Sequence, residues 1–195
     1  MKVPRPAVFL DRDGVINREC GYVHDVDDFH FIDGVFDACL AMSKAGYRLI
    51  VITNQAGIAR GYYTEDDFHH LTKWMLGEFK QHGIKIDDVY YCPHHPIHGV
   101  GNYRRGCDCR KPAPGMILRA AKEHSLDLQR SILIGDKATD IEAGRVAGIG
   151  CCILVLTGHS LGAADTDRAD EVFADLRDVA NAFTSNKLCP RLIRS

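Results

Sequence analysis

Nowhere in the 195 residues does an apolar run approach the length needed to span a bilayer, so the sequence predicts no membrane segment. Charge of one sign is not in excess either: 24 Lys and Arg stand against 26 Asp and Glu, a formal charge of -2. Nothing therefore draws the whole chain towards nucleic acid or an anionic membrane, and any anionic ligand must be held by a local site. No basic stripe with interleaved aromatics is present, which excludes the usual nucleic-acid surface. Repeats, low-complexity blocks and linkers are also missing. The expectation is one domain over residues 1–195, with a loosely held tail at 184–195 that shows little periodicity. Met1-Lys2-Val3-Pro4-Arg5-Pro6 runs straight into a short apolar stretch and lacks the layout of a secretory signal, so the expected location is cytoplasmic. With no apolar helix left over, the expected state is a monomer.

What is present is ordinary for a globular domain: 46% hydrophobic and 26% charged residues. Eight cysteines are more than usual, and they are unevenly placed. Cys20, Cys39, Cys151, Cys152 and Cys189 are scattered, mostly in apolar surroundings where a cysteine acts as a small hydrophobe. Burial is thus a better account of Cys151-Cys152 than redox chemistry. Cys92, Cys107 and Cys109 instead share a loop rich in Gly, Pro and His, which in a reducing compartment suggests a metal before a disulfide.

Short Val- and Ile-rich runs alternate with segments of helical period, the pattern of an α/β domain with a mostly parallel sheet and helices on both faces. Strands are expected at Ala7–Leu10, Arg48–Ile52, Val89–Tyr91, Ser131–Ile134 and Cys151–Leu156. Helices are expected at Gly34–Ala45, Glu65–Gln81, Gly115–His124 and Thr139–Ala147. Asp33 is positioned to cap the first helix, and Thr64 with Asp67 reads as a capping box for the second. Gly158–Asp170 is polar and reads as a surface loop. Trp74 and His69-His70 fall within the second helix, where packing and a solvated face account for them.

Polar groups follow three of the strands: Asp11 and Asp13, then Thr53-Asn54-Gln55, then Gly135-Asp136-Lys137 with Asp140. The carboxyl ends of strands in an open parallel sheet border the ligand crevice, so residues far apart in sequence are delivered to one place. Arg110-Lys111-Pro112 precedes a helix on the same side. Taken singly, each group is commonplace, since Asp and Asn cap turns and Lys solvates surfaces. Their order along successive strands is what points to phosphoryl transfer. Asp11 can act as a carboxylate nucleophile, giving an aspartyl-phosphate. Asp13 can protonate the leaving alkoxide and later deprotonate water. Asp11 and Asp136 offer hard oxygen ligands for Mg²⁺. Lys111 adds fixed positive charge, and Thr53 with nearby backbone N–H groups can hold phosphoryl oxygens.

Cys92-Pro93-His94 and Cys107-Asp108-Cys109 supply three thiols and an imidazole, a donor set suited to a closed, structural Zn²⁺ site, with His95 or His98 as alternatives to His94.

The runs Asp11-Arg12-Asp13-Gly14-Val15-Ile16-Asn17, Thr53-Asn54-Gln55, Lys111-Pro112 and Gly135-Asp136-Lys137 with Asp140 resemble the haloacid dehalogenase superfamily of phosphatases over nearly the whole chain. That resemblance implies a Rossmann-like sheet, an Asp11 nucleophile, an Asp13 acid/base, and Mg²⁺ held by Asp11, Asp136 and the Asp13 backbone carbonyl. Tyr90-Tyr91-Cys92-Pro93-His94-His95-Pro96, Cys107-Asp108-Cys109-Arg110-Lys111-Pro112, Gly21-Tyr22-Val23-His24 and the stretch from Thr53 to Gly61 are similar to its D-glycero-D-manno-heptose 1,7-bisphosphate 7-phosphatase branch. By that similarity Zn²⁺ is held by Cys92, His94, Cys107 and Cys109. Arg110 meets the second phosphate of a sugar bisphosphate, beside a substrate site of Thr53, Asn54, Gln55 and Lys111. Glu19, Cys20, Gly21, Tyr22 and Lys137 line its sugar. The product would feed ADP- or GDP-heptose precursors of lipopolysaccharide core or S-layer.

The stretches from Asp11 to Thr53 and from Thr53 to Lys111 are too short for a cap domain, so loops must select the substrate. Two other readings compete. A histidinol-phosphate phosphatase would share the chemistry, but its cationic substrate disfavours Arg110. A non-catalytic, zinc-stabilised interaction module would have no use for intact Asp11, Asp13, Lys111 and Asp136.

Overall fold

The computed structural model describes residues 3–158, 166, 168–185 and 187–189. In chain order the elements are β1 (Ala7–Leu10), α1 (Val35–Lys44), β2 (Arg48–Asn54), α2 (Ala56–Arg60), α3 (Glu65–Gln81) and β3 (Asp88–Cys92). They continue through α4 (Gly115–His124), β4 (Ile132–Gly135), α5 (Ala138–Ala147), β5 (Cys151–Val155), β6 (Glu171–Phe173) and α6 (Leu176–Thr184). The strands form a six-stranded sheet in the order β3-β2-β1-β4-β5-β6, with every pair parallel. This is the Rossmann-like arrangement expected from the alternating pattern.

Both faces of the sheet are covered, which is why the strands lack polar alternation. Val8, Leu10, Leu49, Val51, Ile132 and Ile134 face a core closed by α1, α3 and α6. Phe9, Ile50, Ile52, Leu133, Cys152 and Leu154 face the other core, closed by α4 and α5. Trp74 belongs to the first core, packed at ring-centroid distances of 5.5 Å from Phe29 and 5.8 Å from Phe31. Among the described residues no helix is long and apolar enough to cross a membrane.

Several expectations need correction. Asp33 does not cap α1; the cap position is Gly34, at φ 85° and without a side-chain hydrogen bond. Glycine is required there because α6 approaches closely, and a Cβ would meet Arg177 Cβ at 3.0 Å. The box at α3 does form, with Thr64 Oγ1 accepting from Asp67 N at 3.1 Å and Thr64 N donating to Asp67 Oδ2 at 2.8 Å. Thr53 and Asn54 are the last residues of β2 and not its sequel. The structure adds three short elements to those expected: α2, β6 and α6. The first is five residues long and the second three, too few to display a period. Residue 184 ends α6 and does not begin a loose tail; Leu188 and Cys189 are buried. Cys151 is buried as expected, but it is also bonded to Cys189, their Cα atoms 6.1 Å apart. The rest of the tail (186, 190–195) and most of the polar stretch at 158–170 lie outside the described residues. Gly158 itself is no open loop, for a Cβ there would run into the Asp136 carboxylate.

Candidate active site

Strand order reverses at β1, which has β2 on one side and β4 on the other. A crevice opens at such a switch point, beyond the carboxyl ends of the strands. A cleft of about 430 Å³ lies there, lined by residues including Asp11, Asp13, Thr53, Asn54, Gln55, Lys111 and Lys137. The sequence-read strand-end groups therefore converge.

Asp11, directly after β1, is 5% exposed, and Lys111 is 3% exposed. Lys111 Nζ lies 2.9 Å from Asp11 Oδ1 and 2.7 Å from Asp140 Oδ1, and donates to Ile52 O at 2.9 Å. Two carboxylates and a carbonyl oxygen thus surround the ammonium, as a buried charge requires. Burial alone would depress its pKa; Asp11 and Asp140 outweigh that and hold it above the ordinary value. Asp11 behaves oppositely. Burial, then Asp140 and Asp136, push it from 3.8 up to about 7, against the pull of Lys111 and Lys137.

Asp11, Asp136 and Asp140 place carboxylate oxygens within 4.8 Å of one another. Three hard oxygens this close favour a divalent cation, which would offset the mutual repulsion. Both oxygens of Asp140 already meet the protein, one at Lys111 Nζ and the other at the Lys137 backbone N–H, the latter at 3.0 Å. Asp136 is fully buried, and a Cβ at either Gly14 or Gly158 would collide with its carboxylate. The residues present fit Mg²⁺.

Asp13 is held from two sides. Oδ1 accepts from Arg12 Nη2 at 2.8 Å and Asn17 Nδ2 at 3.0 Å, while Oδ2 accepts from Gln55 Nε2 at 3.0 Å. Arg12 is 1% exposed and its Nη2 also donates to Val23 O at 2.7 Å. No sequence pattern assigns a role to Arg12 or Tyr63. A cation between two aspartates was the available signal for the first, whereas nothing local marks the second.

Asn54 spends both ends of its amide on one partner, donating to Lys111 O at 3.1 Å and accepting from Lys111 N at 3.1 Å. It therefore fixes the backbone that presents Lys111. Lys137 Nζ stands 3.6 Å from Glu19 Oε2 and 3.8 Å from Asp136 Oδ2. Glu19, Gly21, Tyr22 and Arg110 line the cleft. Cys20 is exposed and is not among the lining residues.

Beside the cleft, Cys92 at the end of β3 meets His94, Cys107 and Cys109 of the loop that follows. Cys109 Sγ lies 3.2 Å from Cys92 Sγ and 3.3 Å from Cys107 Sγ; His94 Nδ1 is 3.5 Å from Cys109 Sγ and 3.8 Å from Cys92 Sγ. Zn–S bonds of about 2.3 Å give a tetrahedron with S···S edges of about 3.8 Å, so this cluster is close to the required size. His95 is spoken for elsewhere: its Nδ1 accepts from Ile97 N at 3.1 Å and His98 N at 2.9 Å. Among the candidate imidazoles, His94 is the one in the cluster. Burial and Arg105 lower its pKa, keeping the ring neutral as a ligand must be. The cluster touches the cleft twice. Arg110 Nη1 donates to His94 O at 3.2 Å, and Gln55 N donates to Cys92 O at 2.8 Å.

A HAD-hydrolase-like family model matches residues 108–179. The D-glycero-β-D-manno-heptose-1,7-bisphosphate 7-phosphatase of Vibrio cholerae is 50% identical over 175 residues, covering 90% of this chain and 94% of the relative. The protein of the same name from Escherichia coli K12 is 46% identical over 178 residues, covering 91% and 93%. Among solved structures, the D,D-heptose 1,7-bisphosphate phosphatase of B. bronchiseptica, complexed with magnesium and phosphate, has a TM-score of 0.79 at 29% identity, covering 93% of this chain and 99% of that one. Its counterpart from Burkholderia thailandensis has a TM-score of 0.65 at 28% identity, with coverage of 93% and 99%. The chain belongs to the D-glycero-β-D-manno-heptose-1,7-bisphosphate 7-phosphatase family of HAD-like phosphatases.

Proposed function

We propose that this protein removes the 7-phosphate of D-glycero-β-D-manno-heptose 1,7-bisphosphate through an aspartyl-phosphate on Asp11. The observation that carries the reading is the Asp11–Lys111–Asp140 ion network, 2.9 and 2.7 Å, buried at the switch point of the sheet. The β-anomer is supported by the names of the relatives.

Asp11 attacks the phosphorus as the bond to the sugar oxygen breaks. The Lys111 ammonium neutralises phosphoryl charge, and the Thr53 hydroxyl donates to a phosphoryl oxygen. Asp13 gives a proton to the departing alkoxide, so the sugar leaves as an alcohol. The same carboxylate then takes a proton from water, which attacks the aspartyl-phosphate, releases inorganic phosphate and restores Asp11. Mg²⁺, held by Asp11, Asp136 and the Asp13 backbone carbonyl, would supply positive charge to the phosphoryl oxygens. Zn²⁺ on Cys92, His94, Cys107 and Cys109 would act structurally, since three thiolates and an imidazole complete its coordination. Arg110, anchored on His94 O, takes the second phosphate, while Glu19, Gly21, Tyr22 and Lys137 surround the sugar.

Phosphate release should be measured from both anomers of the heptose bisphosphate and from histidinol phosphate, with and without Mg²⁺. The β-bisphosphate should be turned over fastest, and only with the cation. Comparable turnover of histidinol phosphate would overturn the substrate assignment.

A further inference from the structure

Tyr63 lies outside every motif of the sequence, yet it is buried at 6% exposure and its hydroxyl ends inside the site. That hydroxyl donates to Gln55 Oε1. Gln55, 1% exposed, passes its two amide protons onward: Nε2 donates to Asp13 Oδ2 at 3.0 Å and to Thr53 Oγ1 at 2.8 Å. A glutamine amide can be turned to exchange its oxygen and nitrogen. Donation into Oε1 selects the orientation in which Nε2 faces the carboxylate; the reverse would set Oε1 lone pairs against those of Asp13. Burial raises the pKa of the Tyr63 phenol, so it remains a donor.

The tyrosine is itself held in place. Its ring stacks on His24 at 5.0 Å with planes 4° apart, and the backbone of α2 leaves it room, because a Cβ on Gly57 would strike the ring. Arg12 Nη2 donates to both Asp13 oxygens, at 2.8 Å to Oδ1 and 3.0 Å to Oδ2, and Asn17 donates to Oδ1, so Gln55 completes the enclosure of the carboxylate. Donation to Thr53 Oγ1 also fills an acceptor position there, leaving the hydroxyl proton of Thr53 free for a phosphoryl oxygen. Both N–H groups of Gln55 are thereby spent on the protein, and neither is left for the sugar.

We propose that Tyr63 and Gln55 are positioning residues, which aim Asp13 Oδ2 at the leaving-group oxygen. The proposal rests on the reading of Asp13 as the general acid/base. It predicts an effect that depends on the leaving group, because a sugar alkoxide needs the proton and p-nitrophenolate does not.

Tyr63→Phe keeps the stacked ring and removes the donor. Its kcat/KM, which reports transfer to Asp11 and not the hydrolysis step that both substrates share, should be compared with those of the wild type and Asp13→Asn, using the heptose bisphosphate and p-nitrophenyl phosphate, with the Kd of the heptose 1-phosphate product as the binding control. Tyr63→Phe should lower kcat/KM for the sugar about 10-fold, a fraction of the whole acid/base contribution. The product Kd and kcat/KM for the aryl phosphate should stay within about twofold. Equal losses of kcat/KM on both substrates would make the role merely structural, and a product Kd raised about 10-fold would make it substrate binding; either result overturns the proposal. If Asp13→Asn depends on the leaving group while Tyr63→Phe does not, the positioning claim alone fails. If Asp13→Asn shows no such dependence, the acid/base reading fails and the proposal falls with it.

Discussion

The carboxylate centre and the Cys/His cluster stand side by side, and both gather donors fit for a metal, but they are built on opposite principles. The centre gathers beyond the ends of β1 and β4 in the middle of the sheet, with Asp11, Asp136, Asp140 and Lys111 all buried. Its charges come from separate elements and remain in tension, as the raised pKa of Asp11 records. The cluster hangs from the edge strand β3, and Cys107 and Cys109 of its loop are half-exposed. Its donors come close in sequence and have few other partners to hold them. A buried centre of this kind can do chemistry because the sheet restrains groups that repel one another. A cluster of the second kind can shape a loop. Lys111 is anchored by Asn54, Asp11 and Asp140, whereas Arg110, its neighbour in sequence, is anchored by His94 O. Two adjacent residues thus take their positions from two different regions.

The largest effect should come from Asp11→Asn, which removes the proposed nucleophile and should cost at least about 10³-fold in kcat. Without added cation its melting temperature should match or exceed that of the wild type, since a repelling carboxylate is gone. A variant that unfolded would contradict the tension ascribed to the centre. Next, Cys107→Ser should abolish stoichiometric zinc, read by elemental analysis, and raise KM for the bisphosphate about 10-fold through the loss of the Arg110 anchor, an interaction to a charged group worth about 1.5–3 kcal/mol. The rate at saturation should change much less. A collapse of kcat with KM preserved would mean that the loop organises Lys111 as well.

The pKa of Asp11 is raised in the folded state, from 3.8 to about 7, so the folded protein holds this proton where the unfolded chain has lost it. Stability without a divalent cation should therefore decline as pH rises through that window, and be lost no further above it. Mg²⁺ has no Asp11 proton to displace at pH 8, so it should raise the melting temperature more there than at pH 5.5. Equal shifts at both pH values would contradict the assignment of Asp11 as a ligand. The smallest effect belongs far from either region. Asp175 caps α6 by accepting from Asp178 N at 3.0 Å. Asp175→Ala should cost about 1 kcal/mol and a melting shift of about 2–4 °C, with turnover unchanged.

What could be read from the sequence follows the same division. The strand ends were legible because each apolar run terminates in a polar group, and the parallel sheet gathers such ends. The Cys/His cluster was legible because three thiols and a histidine fall at the end of β3 and in the loop after it, although choosing His94 over His95 from the residues alone required seeing His95 Nδ1 accept two backbone N–H groups. Asn54 and Gln55 were legible as members of the site but not by task. Their amides turn inward to Lys111 and Asp13, which depends on side-chain orientation that no spacing reveals. Tyr63 was invisible because its role arises from a contact with Gln55 across the turn after α2. The bond between Cys151 and Cys189 was missed for a related reason. It depends on where the chain returns after α6, which a short segment with little periodicity does not announce.

The division of labour is tested most directly by phosphate release from the β-heptose 1,7-bisphosphate and from the 7-monophosphate, in the wild type and in Arg110→Ala. The wild type should prefer the bisphosphate in kcat/KM by at least about 10-fold, the scale of one charge-assisted hydrogen bond. Arg110→Ala should erase that preference and leave the monophosphate rate intact. Equal losses on the two substrates would contradict the account, since Arg110 would then serve the carboxylate centre and not the second phosphate.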